Sequence, residues 1–259
     1  ENSNTMFSAK TYTARRHELR TKIGSGIILL PGNSLSPNNY PNNAYYFRQD
    51  SSFRYYFGLN VPSVVGVIDA DYRGECNPIA FLSGKYELIG MDVTWLSPTP
   101  YMPGSRFEKQ SPYPRIINHA ILRPIGEGKP FHMYNTHLDH EFDEARVLGA
   151  KRLLEKLKED QKTHPFPLAL TGDFNAYPDS EAIRLLREDE FGLTERTEGL
   201  GTTWHDYGRG NDPRIDYIFT RGMKAEGAAE LWTQNLNGIY LSDHYPIAVE
   251  LTREDGETL

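Results

Sequence analysis

Leu168-Ala169-Leu170-Thr171-Gly172-Asp173-Phe174-Asn175 is a short apolar run that stops on a glycine, a carboxylate and an amide. Four apolar or β-branched residues ahead of a turn signal read as a buried strand. Open sheets place reactive side chains where strands end, so Asp173 and Asn175 become candidates for chemistry. Residues two apart in extended chain share a face. On that spacing Asp173 and Asn175 are expected to point together.

Three further segments have the same character. Asn135-Thr136-His137-Leu138-Asp139-His140 lies at the end of the expected strand Phe131 to His137 and just past it. Arg214-Ile215-Asp216-Tyr217-Ile218-Phe219 opens a strand rather than ending one. Ser242-Asp243-His244-Tyr245-Pro246 is expected just past a strand end. Asn135 and His137 share a face by the same alternation.

The surrounding chain reads as alternating short elements. Strands are expected at Ile79 to Leu82, Tyr86 to Ile89, Val93 to Leu96, Ile116 to Leu122, Ile215 to Thr220, Ala228 to Trp232 and Ile247 to Leu251. Asp143 and Glu144 begin an amphipathic helix, with carboxylates at the positive end of its dipole. Ala150, Leu153, Leu154 and Leu157 repeat along one face of it. Ser180 to Glu188 reads as a shorter helix. Before Gly74 the order is helix (Ala9 to Lys22), strand (Gly26 to Leu30), polar loop, aromatic helix within Phe47 to Leu59, and strand (Val64 to Asp69).

The residue types suit attack on a phosphoester. Asp173 can hold a nucleophilic water, and His244 can act as base or electrostatic partner with Asp216 orienting it. Asn175, His137 and Arg115 can donate to charge growing on phosphoryl oxygens. A carboxylate such as Asp243 can hold a divalent ion. Oxygen ligands with few carboxylates point to Mg²⁺ or Mn²⁺ rather than zinc.

Asn-Thr-His, Gly-Asp-Phe-Asn, Ile-Asp-Tyr-Ile and Ser-Asp-His, in that order, resemble the C-terminal motif series of the endonuclease/exonuclease/phosphatase (deoxyribonuclease I-like) superfamily. The resemblance covers about 74–252. The tract Gly74-Glu75-Cys76-Asn77-Pro78-Ile79, then Thr94-Trp95-Leu96-Ser97, is similar to a bacterial branch. The resemblance implies an α/β fold, a partial four-layer αββα sandwich preceded by a small strand-helix-strand segment. It implies that Glu75 orients His137, that Arg115 contacts phosphate with Asn135 beside it, and that Asp243 and Asp173 reach the metal. Asp173 with Asn175, and His244 with Asp216, would handle the attacking water. The family's opening Asn and the Gln-Glu pair, whose Glu is its main metal ligand, do not occur before Gly74. Asp69 and Asp71 read as turn carboxylates. The expected activity is a phosphoester hydrolase impaired by that loss.

What stands in their place resembles something else. Tyr12-Thr13-Ala14-Arg15-Arg16, Ile28-Leu29-Leu30-Pro31-Gly32-Asn33 and Phe47-Arg48-Gln49-Asp50-Ser51-Ser52-Phe53 are similar to the start of the N-terminal domain of Xaa-Pro aminopeptidases (aminopeptidase P), over about 7–71. That domain is non-catalytic in the family, so no peptidase activity is expected. The chain thus reads as two partial domains, 1–73 and 74–259. An alternative reading is a non-catalytic oligomerisation module in which the aromatic N-terminal segment pairs subunits, or an inactive mosaic.

Composition narrows the partners. Net charge is −7, whereas duplex-binding proteins draw affinity from basic surface. A small or lipid-like phosphoester is therefore favoured over nucleic acid. The single Cys76 excludes an internal disulfide. No apolar run approaches the roughly 20 residues of a membrane span. Glu1 to Lys10 lacks a signal-peptide layout, giving a cytoplasmic expectation. His119 and His132 are read as structural or exposed, His140 as a surface residue, and His205 as loop packing.

Overall fold

The computed structural model describes residues 7–24, 27–36, 45–60, 62, 65–69, 77–126, 128–235, 240 and 242–254. The chain divides into two compact units, Glu1–Cys76 with Phe81–Lys85, and Asn77–Ala80 with Tyr86–Leu259. Glu75 and the joining segment near Asp71 to Gly74 lie outside the described residues.

The first unit contains α1 (Ala9–Ile23), β1 (Ile27–Pro31), α2 (Ser51–Phe57) and β2 (Val65–Asp69). Strands β1 and β2 form an antiparallel pair. The Gln-Asp-Ser-Ser-Phe tract explains its own sequence. The buried Gln49 side chain accepts from the backbone N–H groups of Asn33 and Asp50. Asp50 caps α2 by accepting from Phe53 N at 2.8 Å, and the Phe53 ring is buried. Gly58 ends the helix in the left-handed region, where a Cβ would collide with the Tyr12 ring. Tyr45, Tyr46 and Tyr55 are exposed, unlike Phe53.

The second unit is built on one six-stranded sheet. Its strands are β3 (Tyr86–Trp95), β4 (Ile116–Pro124), β5 (Phe131–His137), β6 (Leu168–Asp173), β7 (Thr194–Glu195) and β8 (Asp216–Arg221), in the order β3-β4-β5-β6-β8-β7. The β5–β6 pair is parallel, and the other pairs are antiparallel. The connection from β5 to β6 is α3 (Asp143–Thr163), as a parallel pair requires. Helix α3 and α4 (Glu181–Glu188) pack one face of the sheet. Leu153, Leu154 and Leu157 meet Tyr134, Leu168, Leu170, Tyr217 and Phe219 there. Alternation then sends His137, Asp173 and Asp216 to the opposite face. Short strands β9 (Met223–Ala225), β10 (Glu230–Leu231), β11 (Ile247–Ala248) and β12 (Leu251–Arg253) pair as β9–β12 and β10–β11.

Several boundaries differ from the expectation. Ile79 to Leu82 forms no strand. The two strands expected at Tyr86 to Ile89 and Val93 to Leu96 are one, because pairing with β4 continues through Gly90 to Asp92 after a register irregularity at Leu88/Gly90. Ala228 to Trp232 shrinks to Glu230–Leu231, and Ile247 to Leu251 splits in two. Among the described residues no helix is long and apolar enough to cross a membrane.

His119 and His132 are buried and structural. His119 Nδ1 faces Asp92 Oδ2 at 2.7 Å, His119 Nε2 meets His132 Nδ1 at 2.8 Å, and His132 Nε2 donates to the His164 carbonyl at 2.8 Å. A carbonyl only accepts, so His132 Nε2 carries a proton.

Candidate active site

Sheet register assembles the site. His137, Asp173 and Asp216 are successive Cα partners across β5, β6 and β8. Gly172 makes that spacing possible. It lies opposite Thr136, and a Cβ there would stand 2.2 Å from the Thr136 carbonyl oxygen. Phe174, fully buried beyond the strand end, anchors the turn in the helix-side core.

His137 Nε2 lies 3.2 Å from Asp173 Oδ2. His244 Nδ1 lies 2.9 Å from Asp216 Oδ2, and His244 Nε2 lies 3.8 Å from Asp173 Oδ2. Asp173, Asp216 and His244 each offer a ligand atom within 4.8 Å of the others. Asn175 does not continue the strand as alternation suggested. Its φ is 46°, in the left-handed region that Asn tolerates. Its backbone N–H donates to Asp173 Oδ1 at 2.8 Å, and its side-chain amide donates to the Leu138 carbonyl at 3.1 Å.

The remaining expected residues are placed as follows. Asn135 sits two residues before His137 on the same strand face. Its amide donates to the Pro78 carbonyl and accepts from Thr171 Oγ1. Arg115 is 3% exposed at the entry to β4. Its charge is felt at Asp173, and its guanidinium meets His140 Nδ1 at 2.9 Å. Asp243 stands outside the Asp173–Asp216–His244 cluster. Its backbone carbonyl accepts from His205 N and Asp206 N, and its charge acts on His244.

A residue that the motif reading missed holds two of these segments together. Thr203 is fully buried, and its Oγ1 accepts from Ile215 N and Asp216 N at 3.1 and 3.2 Å. Its carbonyl accepts from Tyr245 N, and the next residue bridges Trp204 to His244. His205 packs against the Tyr245 ring at 3.8 Å, which is loop packing as expected. A lone Thr in a loop carries no sequence signal for this. The positive φ of Asp206 and Tyr207 shows how tightly the loop turns.

Electrostatics follow from burial and charge. Burial is the largest influence on Asp173, raising it, and the neighbouring Asp216 charge raises it further. His244, the Asn175 N–H and Arg115 pull it back only in part. Burial lowers His244, but the Asp216 hydrogen bond and charge outweigh it and bring the imidazole to about 9. A buried carboxylate with raised proton affinity beside a second carboxylate is a place where a cation is favourable. The oxygen-rich donor set fits a hard divalent ion.

Comparison with known proteins bears on both units. The aminopeptidase P, N-terminal domain family matches residues 12–87. A UPF0294 protein of Yersinia enterocolitica is 25% identical over 196 residues, 73% of this chain and 68% of that protein. The endonuclease/exonuclease/phosphatase from Bacteroides vulgatus superposes with a TM-score of 0.62 at 22% identity, covering 93% of this chain and 81% of that one. The mannosyl-6-phosphatase of Bacteroides thetaiotaomicron VPI-5482 superposes with a TM-score of 0.57 at 19% identity, covering 93% and 90%. The fold is therefore mixed α/β of the deoxyribonuclease I-like kind, and its structural neighbours are endonuclease/exonuclease/phosphatase proteins. More particularly, its N-terminal stretch is similar to an aminopeptidase P N-terminal domain.

Proposed function

We propose that the chain is a divalent-metal-dependent hydrolase of phosphoesters. The observation that carries this is the placement of His137, Asp173 and Asp216 side by side on three strands with His244 closing over them. Asp173 accepts a hydrogen bond from the attacking water. His244, oriented by Asp216, takes its proton or balances its charge. His137 and Arg115 donate to the phosphoryl oxygens, which gather charge as the leaving group departs. Asp173, with Asp216 in reach of the same ion and Asp243 adding negative charge beside His244, would hold a Mg²⁺ or Mn²⁺ ion, which would supply charge neutralisation at the leaving oxygen.

Residues 1–73 of this chain carry no Gln-Glu pair, so an ion held by the site residues alone would have fewer carboxylates, and a reduced activity is the expectation for them. Losing even a supporting group typically costs ~10–100-fold in metal affinity or activity. The net charge of −7 favours a small or lipid-like phosphoester over nucleic acid. The phosphatase name of one structural neighbour supports the same class.

Hydrolysis of a chromogenic phosphodiester with Mg²⁺ or Mn²⁺ tests the proposal. The wild-type protein is expected to turn over, with His244→Ala and Asp173→Ala each slower by about 10²-fold or more. Equal rates in all three would remove it.

The family match over 12–87 and the exposed Tyr45, Tyr46 and Tyr55 support a second role for the first unit, pairing of subunits. Light scattering tests this, and a strict monomer overturns it.

A further inference from the structure

We propose that His140 is a positioning residue that aims Arg115 at the phosphoryl group, an inference that rests on the hydrolase reading above. Arg115 has only donors, so the 2.9 Å contact from its Nη2 to His140 Nδ1 requires that nitrogen to accept. An accepting Nδ1 makes His140 the neutral tautomer with its proton on Nε2. Nε2 faces solvent and lies 3.4 Å from Glu141 Oε1, whose charge favours a proton on that nitrogen. His140 thus fixes a buried cation whose charge reaches Asp173.

The chain around His140 is built to hold it there. Asp139 is buried, and its Oδ1 accepts from Glu141 N at 3.1 Å and Phe142 N at 2.8 Å. Its Oδ2 accepts from Ser111 N at 3.1 Å, tying this turn to the loop that leads through Tyr113 to Arg115. The Asp139 carbonyl accepts from Arg146 Nη1 on α3. The Tyr113 ring lies 5.8 Å from the His140 ring and 6.0 Å from the Arg115 guanidinium carbon. The Leu-Asp-His tail of the Asn135 motif thus serves Arg115, while its Asn-Thr-His head serves the strand-end cluster.

Side-chain geometry separates positioning from packing. Asn Oδ1 occupies the place of His Nδ1, whereas Gln Oε1 reaches toward the place of Nε2. His140→Asn keeps the acceptor for Arg115, and His140→Ala and His140→Gln lose it. Inorganic phosphate is titrated into the Mn²⁺-loaded full-length protein by calorimetry, and KM and kcat are measured on the chromogenic diester. His140→Ala and His140→Gln are expected to weaken phosphate affinity and raise KM about tenfold, as for a hydrogen bond to a charged group. His140→Asn should return to within about threefold of wild type.

Wild-type behaviour in all three variants, or equal loss in all three, overturns the proposal. Long-range ¹H–¹⁵N correlation reads the tautomer without turnover. Nε2–H with an accepting Nδ1 at neutral pH is expected, and an Nδ1–H tautomer or an imidazolium overturns the proposal. Phosphate binding with the Ala/Gln-versus-Asn pattern but no hydrolysis would sink the hydrolase reading and leave the His140 role standing. Loss of hydrolysis in His244→Ala with no effect at His140 would do the reverse.

Discussion

Asp173 and Asp216 are Cα partners at the ends of β6 and β8, and His244 spans them, 2.9 Å from Asp216 and 3.8 Å from Asp173. Two carboxylates are thus held on one sheet face by backbone register, and an imidazole from a loop bonds to one of them. That register makes the cluster sensitive to substitutions that never touch it.

The His244–Asp216 pair sets a pH dependence. Burial lowers the imidazole, but the Asp216 hydrogen bond and charge lift it to about 9. A raised folded value means that the imidazolium stabilises the fold fully below the unfolded value of about 6.5. The contribution is then lost as pH rises through about 9. NMR titration of metal-free protein is expected to show His244 changing near that pH. Asp216→Asn removes the charge, so the midpoint should move down. An unmoved midpoint would show that the lift comes from elsewhere.

Gly172 leaves no room for a Cβ against the Thr136 carbonyl where β5 and β6 meet. Gly172→Ala is expected to cost about 1–3 kcal/mol by overpacking. It should also lower turnover by spreading His137 from Asp173. Urea unfolding and diester hydrolysis on the same preparation check both, and undiminished stability would contradict the close approach.

Thr203→Val deletes the acceptor for the Ile215 and Asp216 N–H groups in a buried position. Leaving such donors unsatisfied costs about 1–3 kcal/mol. Faster amide exchange at Asp216 with reduced hydrolysis is the expected result. Thr203→Ser, which keeps the hydroxyl, should retain most of both.

Chelation separates metal-assisted from metal-free chemistry. Hydrolysis by wild-type protein is expected to stop in EDTA and return with excess Mn²⁺ or Mg²⁺. Excess ion is also expected to raise the unfolding temperature, because it binds only the folded arrangement. Hydrolysis that persists in EDTA would exclude the proposed role of the ion.

Sequence by itself determined the local pieces: the strand Leu168–Asp173 ending at its carboxylate, the α3 stripe of Ala150, Leu153, Leu154 and Leu157, and a short aromatic helix within Phe47 to Leu59. Those follow from periodicity and from carboxylates in a helix's first turn, which act over a few residues. Tertiary structure alone decided that Asp173 stands between His137 and Asp216, and that Asn175 turns away in the left-handed region. It also brought Thr203 and His140 to residues 13 and 25 positions away. Strand order and loop closure set those distances, and neither leaves a periodic mark on the chain.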